Sequence, residues 1–374
     1  MKCVVRKGLV PIALFCLLAL LLPACKKDEP PLRIAFVGGL TGRVAGLGVA
    51  GRDAVLLAIE ERNAAGGIGG RRIELVSRDD QQNPEVARKV VGELIDTDVV
   101  AIIGPMTSSI AAVMQPVVNQ ARMVMVSPTV TSNQFNDQDD YLFRMTMPLR
   151  INAEKLAGEA LRRGLKAYAV GVDTTNAAYT EDWLTSFRKP FEAGGGRIVH
   201  VERYQSGAEG GFLPLAGRML KSRPDALLLL SGAMDTAMLA QQVRKLGSTL
   251  PLFTSEWAYT SDVINFGGKA VEGMQSYVTY NPASQSKAHQ AFLVNFEKRF
   301  GYKSSFAAVL AYEAANYLFA GLERNPRREG FKEALAGLGS FPGLQGVVSM
   351  NRAGDPERDT FLAVIRNSQF TTID

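Results

Sequence analysis

From Arg33 onward, short runs of β-favouring apolar residues alternate with longer stretches in which apolar positions recur every three to four residues. Arg33–Val37 (RIAFV) reads as a strand, and Arg52–Ala64 sets Ala54, Leu57, Ala58 and Glu61 at helical spacing. Ile73–Ser77 is a second strand. Pro84 then opens a helix to about Leu94, at a first turn where its missing N–H costs nothing. Val99–Ile103 and Met123–Val126 read as strands around a helix at Ser109–Gln120. The pattern restarts with helices at Ile151–Arg163, Tyr179–Ala193, Phe212–Lys221 and Ala233–Leu246. They alternate with strands at Ala167–Val172, Ile198–Tyr204, Ala226–Leu230 and Leu252–Thr254. From Met274 come one more strand and helical stretches at Ser286–Phe300, Ser305–Leu322 and Arg327–Leu338. This alternation predicts an α/β chain of parallel-type sheets covered by helices on both faces. Two successive doubly wound units suit 374 residues better than one very wide sheet.

The first two dozen residues follow a different rule. Met1–Lys7 carries cations, Gly8–Leu22 is an apolar run, and Leu22-Pro23-Ala24-Cys25 ends it. A basic start, a short apolar stretch and a small residue before a cut make residues 1–24 a secretory signal. The run falls short of the ~20 apolar residues that span a bilayer. Leu-Pro-Ala-Cys resembles a bacterial lipobox, which makes Cys25 the acylated first residue of the mature chain and 25–31 a polar tether. Cys3 and Cys16 leave with the signal, so no disulfide is expected. The formal charge of +5 falls to +2 without Lys2, Arg6 and Lys7, and no basic stripe remains to bind nucleic acid. His200 and His289 stand in unrelated segments, which excludes a Cys/His metal cluster and supports no catalytic triad. No cofactor is implied.

Ligands of doubly wound sheets bind beyond the carboxyl ends of the strands. Those ends carry Gly104-Pro105-Met106-Thr107-Ser108-Ser109, running into a helix, and Ser127-Pro128-Thr129-Val130-Thr131-Ser132. Such uncharged donors beside a helix N-terminus suit a carboxylate or phosphate, although Ser and Thr also serve as ordinary caps. In the second unit, Ser255-Glu256-Trp257-Ala258-Tyr259 puts an acid beside aromatic rings, a pattern suited to a cation. Tyr179 opens a helix from which it could close over a cleft, or simply pack. Hydroxyls seeking an anion in one unit and an acid seeking a cation in the other make a layout for an α-amino acid.

Two other motifs carry less. Gly46-Leu47-Gly48-Val49-Ala50-Gly51 matches the dinucleotide fingerprint in letters, but its first glycine lies nine residues past Val37 instead of at the strand's end. It reads as a flexible glycine loop. Asp79-Asp80 and Asp139-Asp140 read as solvated turns. A secreted hydrolase is disfavoured because no Gly-x-Ser-x-Gly elbow is present.

Taken in order, Ile34-Ala35-Phe36-Val37-Gly38 with Thr41-Gly42, Asn63-Ala64-Ala65-Gly66-Gly67-Ile68-Gly69-Gly70, Ile103 to Ser109, Ser127 to Thr131, Phe143-Arg144 and Tyr312-Glu313-Ala314 resemble one family. It is the leucine/isoleucine/valine-type substrate-binding proteins of bacterial ABC transporters, with the type I periplasmic binding fold. The resemblance covers nearly all of residues 32–366. It implies two doubly wound lobes joined by a three-strand hinge, lobe one at 32–147 and 277–349 and lobe two at 148–276 and 350–374. It also implies a non-enzymatic, lipid-anchored extracytoplasmic protein that delivers a small aliphatic amino acid or similar ligand to a permease. A receptor of the same fold without a transport role, and a binder of a non-amino-acid amide or carboxylate, stay open. By the same resemblance, Ser108, the Thr129 backbone and Thr131 hold the ligand's carboxylate and part of its ammonium; Ser109, beside Ser108, is a further ligand-binding candidate. Tyr179 covers the ligand, and Glu256 beside Trp257 pairs with the ammonium. Leu47 and Ala233 stand where leucine binders often have aromatic residues, which leaves the ligand's side-chain end altered.

Overall fold

The computed structural model describes residues 1–2 and 29–373, so Cys25 and nearly all of the signal lie outside the described residues. Leu32–Gly38 (β1) shows how the first sheet is made. Its Ile34 and Phe36 enter one hydrophobic cluster and its Ala35 and Val37 another on the opposite face, as period-two alternation in a sheet covered on both sides requires. With β2 (Ile73–Asp79), β3 (Ala101–Ile103), β4 (Met125–Ser127) and β5 (Leu142–Arg144) it forms a parallel sheet of order β2-β1-β3-β4-β5. Helices α1 (Ala45–Ala64), α2 (Pro84–Ile95) and α3 (Ser108–Ala121) connect these strands. Asn83 caps α2 by accepting from the Glu85 and Val86 N–H groups at 2.8 and 3.2 Å, with Pro84 at the first helical position.

The second lobe alternates α4 (Leu149–Arg162), β6 (Ala167–Asp173), α5 (Ala177–Ala193), β7 (Arg197–Tyr204), α6 (Phe212–Lys221), β8 (Ala226–Leu230), α7 (Ala233–Lys245), β9 (Leu252–Thr254), α8 (Ser261–Gly267) and β10 (Gln275–Val278). The chain then returns to the first sheet as α9 (Lys287–Phe300), α10 (Phe306–Arg324) and α11 (Phe331–Ala336), with α10 packed along α1. A small antiparallel sheet follows from β11 (Ser340–Pro342), β12 (Val347–Met350) and β13 (Pro356–Glu357). Antiparallel β14 (Phe361–Arg366) and β15 (Gln369–Ile373) extend the edge of the second sheet, whose order is β15-β14-β10-β9-β8-β6-β7. The fold is therefore α/β, two doubly wound lobes joined by three crossing segments.

Two expectations need correction. The glycines from Gly46 to Gly51 are not a flexible loop but the opening turns of α1. They are small because of close approach: a Cβ on Gly48 would lie 2.1 Å from the Gly39 carbonyl oxygen, and one on Gly51 2.8 Å from Met106 Cε. Asp80 is not solvated either. It is fully buried, accepts from the Gln82 N–H at 2.8 Å, and burial pushes its carboxyl up to about 6. Asp139 is an exposed side chain paired with Lys332 at 2.6 Å, and the half-buried Asp140 accepts from Gln115 Nε2 at 2.5 Å.

The crossings are tied by buried polar groups. Arg144, fully buried at the end of β5, donates from Nε to Asp355 Oδ1 at 2.8 Å and from Nη1 to the Ser132 carbonyl at 3.1 Å. Arg358 pairs with Glu313, and the hydroxyls of Thr146 and Thr279 meet at 3.1 Å between two crossings. Removing one partner of a buried ion pair leaves the other charge uncompensated, at a cost of about 3–5 kcal/mol. Arg144→Leu is thus expected to lower unfolding stability by about that amount in urea titrations. A midpoint equal to the wild type would show that the pair is not structurally decisive.

Candidate functional site

The loop after β3 and the loop after β4 lie side by side. Thr107 makes no side-chain cap bond to α3 and donates instead to Gln82 Oε1 at 2.9 Å, whereas Ser132 caps its own short turn. Ser108 Oγ accepts from the N–H groups of Thr131 and Ser132 at 3.4 and 3.3 Å, so its own proton stays available to an anion. Thr129 spends its hydroxyl on the Met106 carbonyl at 2.6 Å, whereas the buried Thr131 Oγ1 has no protein partner.

Across the cleft, Glu256 sits in the turn after β9. Its Oε1 accepts from the Thr279 N–H at 2.7 Å and lies 2.9 Å from the Thr279 hydroxyl, which is equally 2.9 Å from Oε2. One hydroxyl carries one proton, so acceptor capacity remains on the carboxylate. Burial, only partly offset by these bonds, pushes the Glu256 carboxyl up to about 7. Tyr179 is buried edge-on against Trp257, ring centres 5.9 Å apart, and burial holds its phenol well above the ordinary value.

These groups converge on one cavity of about 20 Å³, lined by Leu47, Ser108, Thr129, Thr131, Tyr179, Glu256 and Trp257 from the expected set. That space holds the centre of about one water, so the lobes must part before anything larger enters. Ser109 stands just off the cavity: its N–H donates to Asn176 Oδ1 at 3.0 Å and its Oγ accepts from the Ala178 N–H at 3.1 Å, both across the cleft. Asp182 of α5 likewise accepts from the Asn133 N–H at 2.6 Å and the Ser132 hydroxyl at 3.0 Å. Ala233 lines a smaller neighbouring recess with Leu47 and Trp257.

Met106 and Thr107, from the strand-end loop, also line the cavity, as do Thr146, Asn176 and Phe306, which the sequence did not single out. Asn176 had a signal, since it ends the Asp173-Thr174-Thr175-Asn176 run before Tyr179. Thr146 and Phe306 had none. One lies on a crossing and the other at the start of a late helix, reached only through the chain's return to the first lobe. No group of His, Cys, Asp and Glu side chains fit to hold a metal occurs among the described residues, and no described helix is long and apolar enough to cross a membrane.

A family model described as periplasmic binding protein matches residues 31–371. The leucine-, isoleucine-, valine-, threonine-, and alanine-binding protein of Pseudomonas aeruginosa is 24% identical over 293 residues, 78% of each chain. The Leu/Ile/Val-binding protein BraC3 of Rhizobium johnstonii is 22% identical over 340 residues, 88% of this chain and 90% of that one. Among solved structures, the branched-chain amino acid transporter substrate-binding protein LivJ of Streptococcus pneumoniae, in complex with isoleucine, superposes with a TM-score of 0.84 at 22% identity, covering 92% of this chain and 99% of that one. A solute-binding protein of an R. palustris ABC transporter, in complex with benzoate, gives 0.84 at 20% identity, covering 92% and 95%. Likeness at this level carries the fold, that of the type I periplasmic binding proteins.

The raised Glu256 carboxyl has a signed consequence for stability. Its folded value of about 7 exceeds the ordinary 4.5, so the neutral acid favours the folded chain. That contribution is full below about 4.5 and is lost as pH rises through about 7. Unfolding of ligand-free wild type is expected to lose roughly 3 kcal/mol relative to Glu256→Gln across that window. A difference that stays flat with pH would mean the carboxyl titrates normally.

Proposed function

We infer that this chain, which belongs to the periplasmic binding protein family, captures a small amino-acid-like ligand between its lobes and delivers it to an ABC permease. It is a binding protein and not an enzyme. The carrying observation is the opposition of two chemistries on one cavity: Ser108 and Thr131 donors on one wall, and the Glu256 carboxyl on the other. In this reading Ser108, Thr131 and the Thr129 backbone take the carboxylate, Glu256 takes the ammonium, and Tyr179 closes over the ligand. Leu47, Trp257 and Phe306 flank the aliphatic part. The moving bodies are residues 32–147 with 277–349, and 148–276 with 350–374. The chain works on the periplasmic side, held to the membrane by lipid on Cys25.

A carboxylate without an amine is the second reading. It is favoured by the benzoate-bound relative and by a Glu256 that burial leaves about half protonated near pH 7. Glu256→Gln separates the two. Removing one partner of a buried charge pair costs about 3–5 kcal/mol, so binding of L-leucine or L-isoleucine is expected to weaken by roughly two to four decades in calorimetry. Ser108→Ala removes one neutral donor to a charged group and is expected to cost less, about 1.5–3 kcal/mol. Unchanged amino-acid affinity in Glu256→Gln would exclude the acid as the ammonium's partner, and benzoate binding indifferent to that variant would then support the second reading.

The anchor has its own test. Palmitate labelling of cells producing the full chain is expected to vanish in Cys25→Ser. Labelling that persists would remove the lipid from Cys25.

A further inference from the structure

The cleft does not end at Leu47 and Trp257. Behind them lies a recess of about 10 Å³, walled also by Gly46, Ala233, Thr260 and Asp262. It is open because Ala233 is small and Leu47 is aliphatic, and its far wall is polar. The Thr260 side chain is 4% exposed, and its Oγ1 has no hydrogen-bond partner. Asp262, half-buried in α8, makes no hydrogen bond or ion pair among the described residues, and burial raises its carboxyl. Its Oδ2 lies where a Cβ on Gly46 would be, 2.1 Å from that position, so the acid sits directly against the opening turn of α1. The one cation that lines the recess, Arg43, is already engaged across the cleft, with Nε 2.7 Å and Nη2 2.5 Å from Asp235 Oδ1.

Two side chains with unused acceptor capacity, Thr260 and Asp262, therefore end the cleft, and no hydrogen bond among the described residues serves either. Thr260 is the buried one, and a buried polar group left bare costs free energy; Asp262, half-exposed, adds an acid beside it. We propose that this recess receives the tip of the ligand's side chain, and that the tip is a hydrogen-bond donor held by Asp262 and Thr260. The substrate class is then an α-amino acid with a donor-ended side chain, an amine above all, rather than a purely aliphatic one. This inference rests on the amino-acid reading above and names the specificity of the same site. An acid-ended side chain is rejected, because it would meet Asp262 with like charge.

The competing role for Asp262 is a closure contact: α1 has no acid in its first turn and no side-chain cap, so an acid against it favours the helix end. Ligand pairs of equal length separate these roles. Calorimetry at about pH 7.5 compares L-ornithine with L-norleucine and L-2,4-diaminobutyrate with L-norvaline on the wild-type protein, Asp262→Asn and Glu256→Gln. A hydrogen bond to a charged group contributes about 1.5–3 kcal/mol, so the wild type is expected to prefer the amine-ended member of at least one pair by roughly 10–100-fold. Asp262→Asn is expected to erase that preference while leaving the apolar member within about twofold. Preference for the apolar member, or equal weakening of both members by Asp262→Asn, overturns the proposal; the latter result assigns Asp262 to closure. Both outcomes leave the amino-acid reading intact provided Glu256→Gln still weakens binding. If no member of either pair binds, or Glu256→Gln binds them as wild type does, the amino-acid reading itself fails and the specificity with it.

Discussion

One buried guanidinium fixes the geometry on which everything else depends. Arg144 ends β5, where the chain is about to leave the first sheet, and its N–H groups reach in two directions. One set holds Asp355 on the third crossing, while Nη1 holds the Ser132 carbonyl at the end of the loop that carries Thr129 and Thr131. The other oxygen of Asp355 accepts from the Asp137 N–H at 2.8 Å. Desolvating such a pair offsets most of its Coulomb attraction, so its value lies less in net stability than in specifying one arrangement. Here that arrangement sets the hydroxyl loop and the hinge in a fixed relation.

The contacts across the cleft are of another kind. Arg43 with Asp235, Ser109 with Asn176, and Asp182 with Asn133 are polar pairs in which at least one partner is partly exposed. Each hydrogen bond replaces one to water and contributes about 1 kcal/mol net, those to Asp182 and Asp235 somewhat more because they carry charge. A ligand that binds both walls would shift any balance between open and closed clefts by its own differential affinity. Arg144–Asp355 and Arg358–Glu313 tie the crossings with side chains no more than 9% exposed, whereas the cleft contacts carry at least one partly exposed partner each.

Much of this was legible in the chain. Phe212–Lys221, Ala226–Leu230 and Leu252–Thr254 fall where the periodicity put them, because each is long enough, or apolar enough, to carry its own signal. The cavity's two walls were legible for a related reason, since strand-end loops in this fold class collect the polar groups. What was hidden depends on tertiary approach. The start of α1 looked like a loop because glycines make poor helix formers, yet backbone from β1's far end leaves no room there for a Cβ. β5 is three residues long and is defined by its pairing with β4 more than by its composition. Asp80 looked solvated because acids usually are, and its burial comes from the packing around it. Thr146 and Thr279, separated by 133 positions, have no local pattern at all.

Those two threonines also connect the site to the hinge. Glu256 leans on Thr279, and the Thr279 hydroxyl lies 3.1 Å from that of Thr146, so the acid facing the cavity is bonded to one crossing and through it reaches a second. With its carboxyl about half protonated near pH 7, the acid would change its bonding on pairing with a cation, because a carboxylate accepts stronger, shorter hydrogen bonds than a neutral acid does. A ligand ammonium that ionises Glu256 would therefore tighten its bonds to Thr279 at the same time as it pairs. On the amino-acid reading, charge at the ligand and geometry at the hinge would be coupled through Glu256. A ligand without the amine would lack that coupling, and would have to bridge the two walls through the hydroxyl side alone.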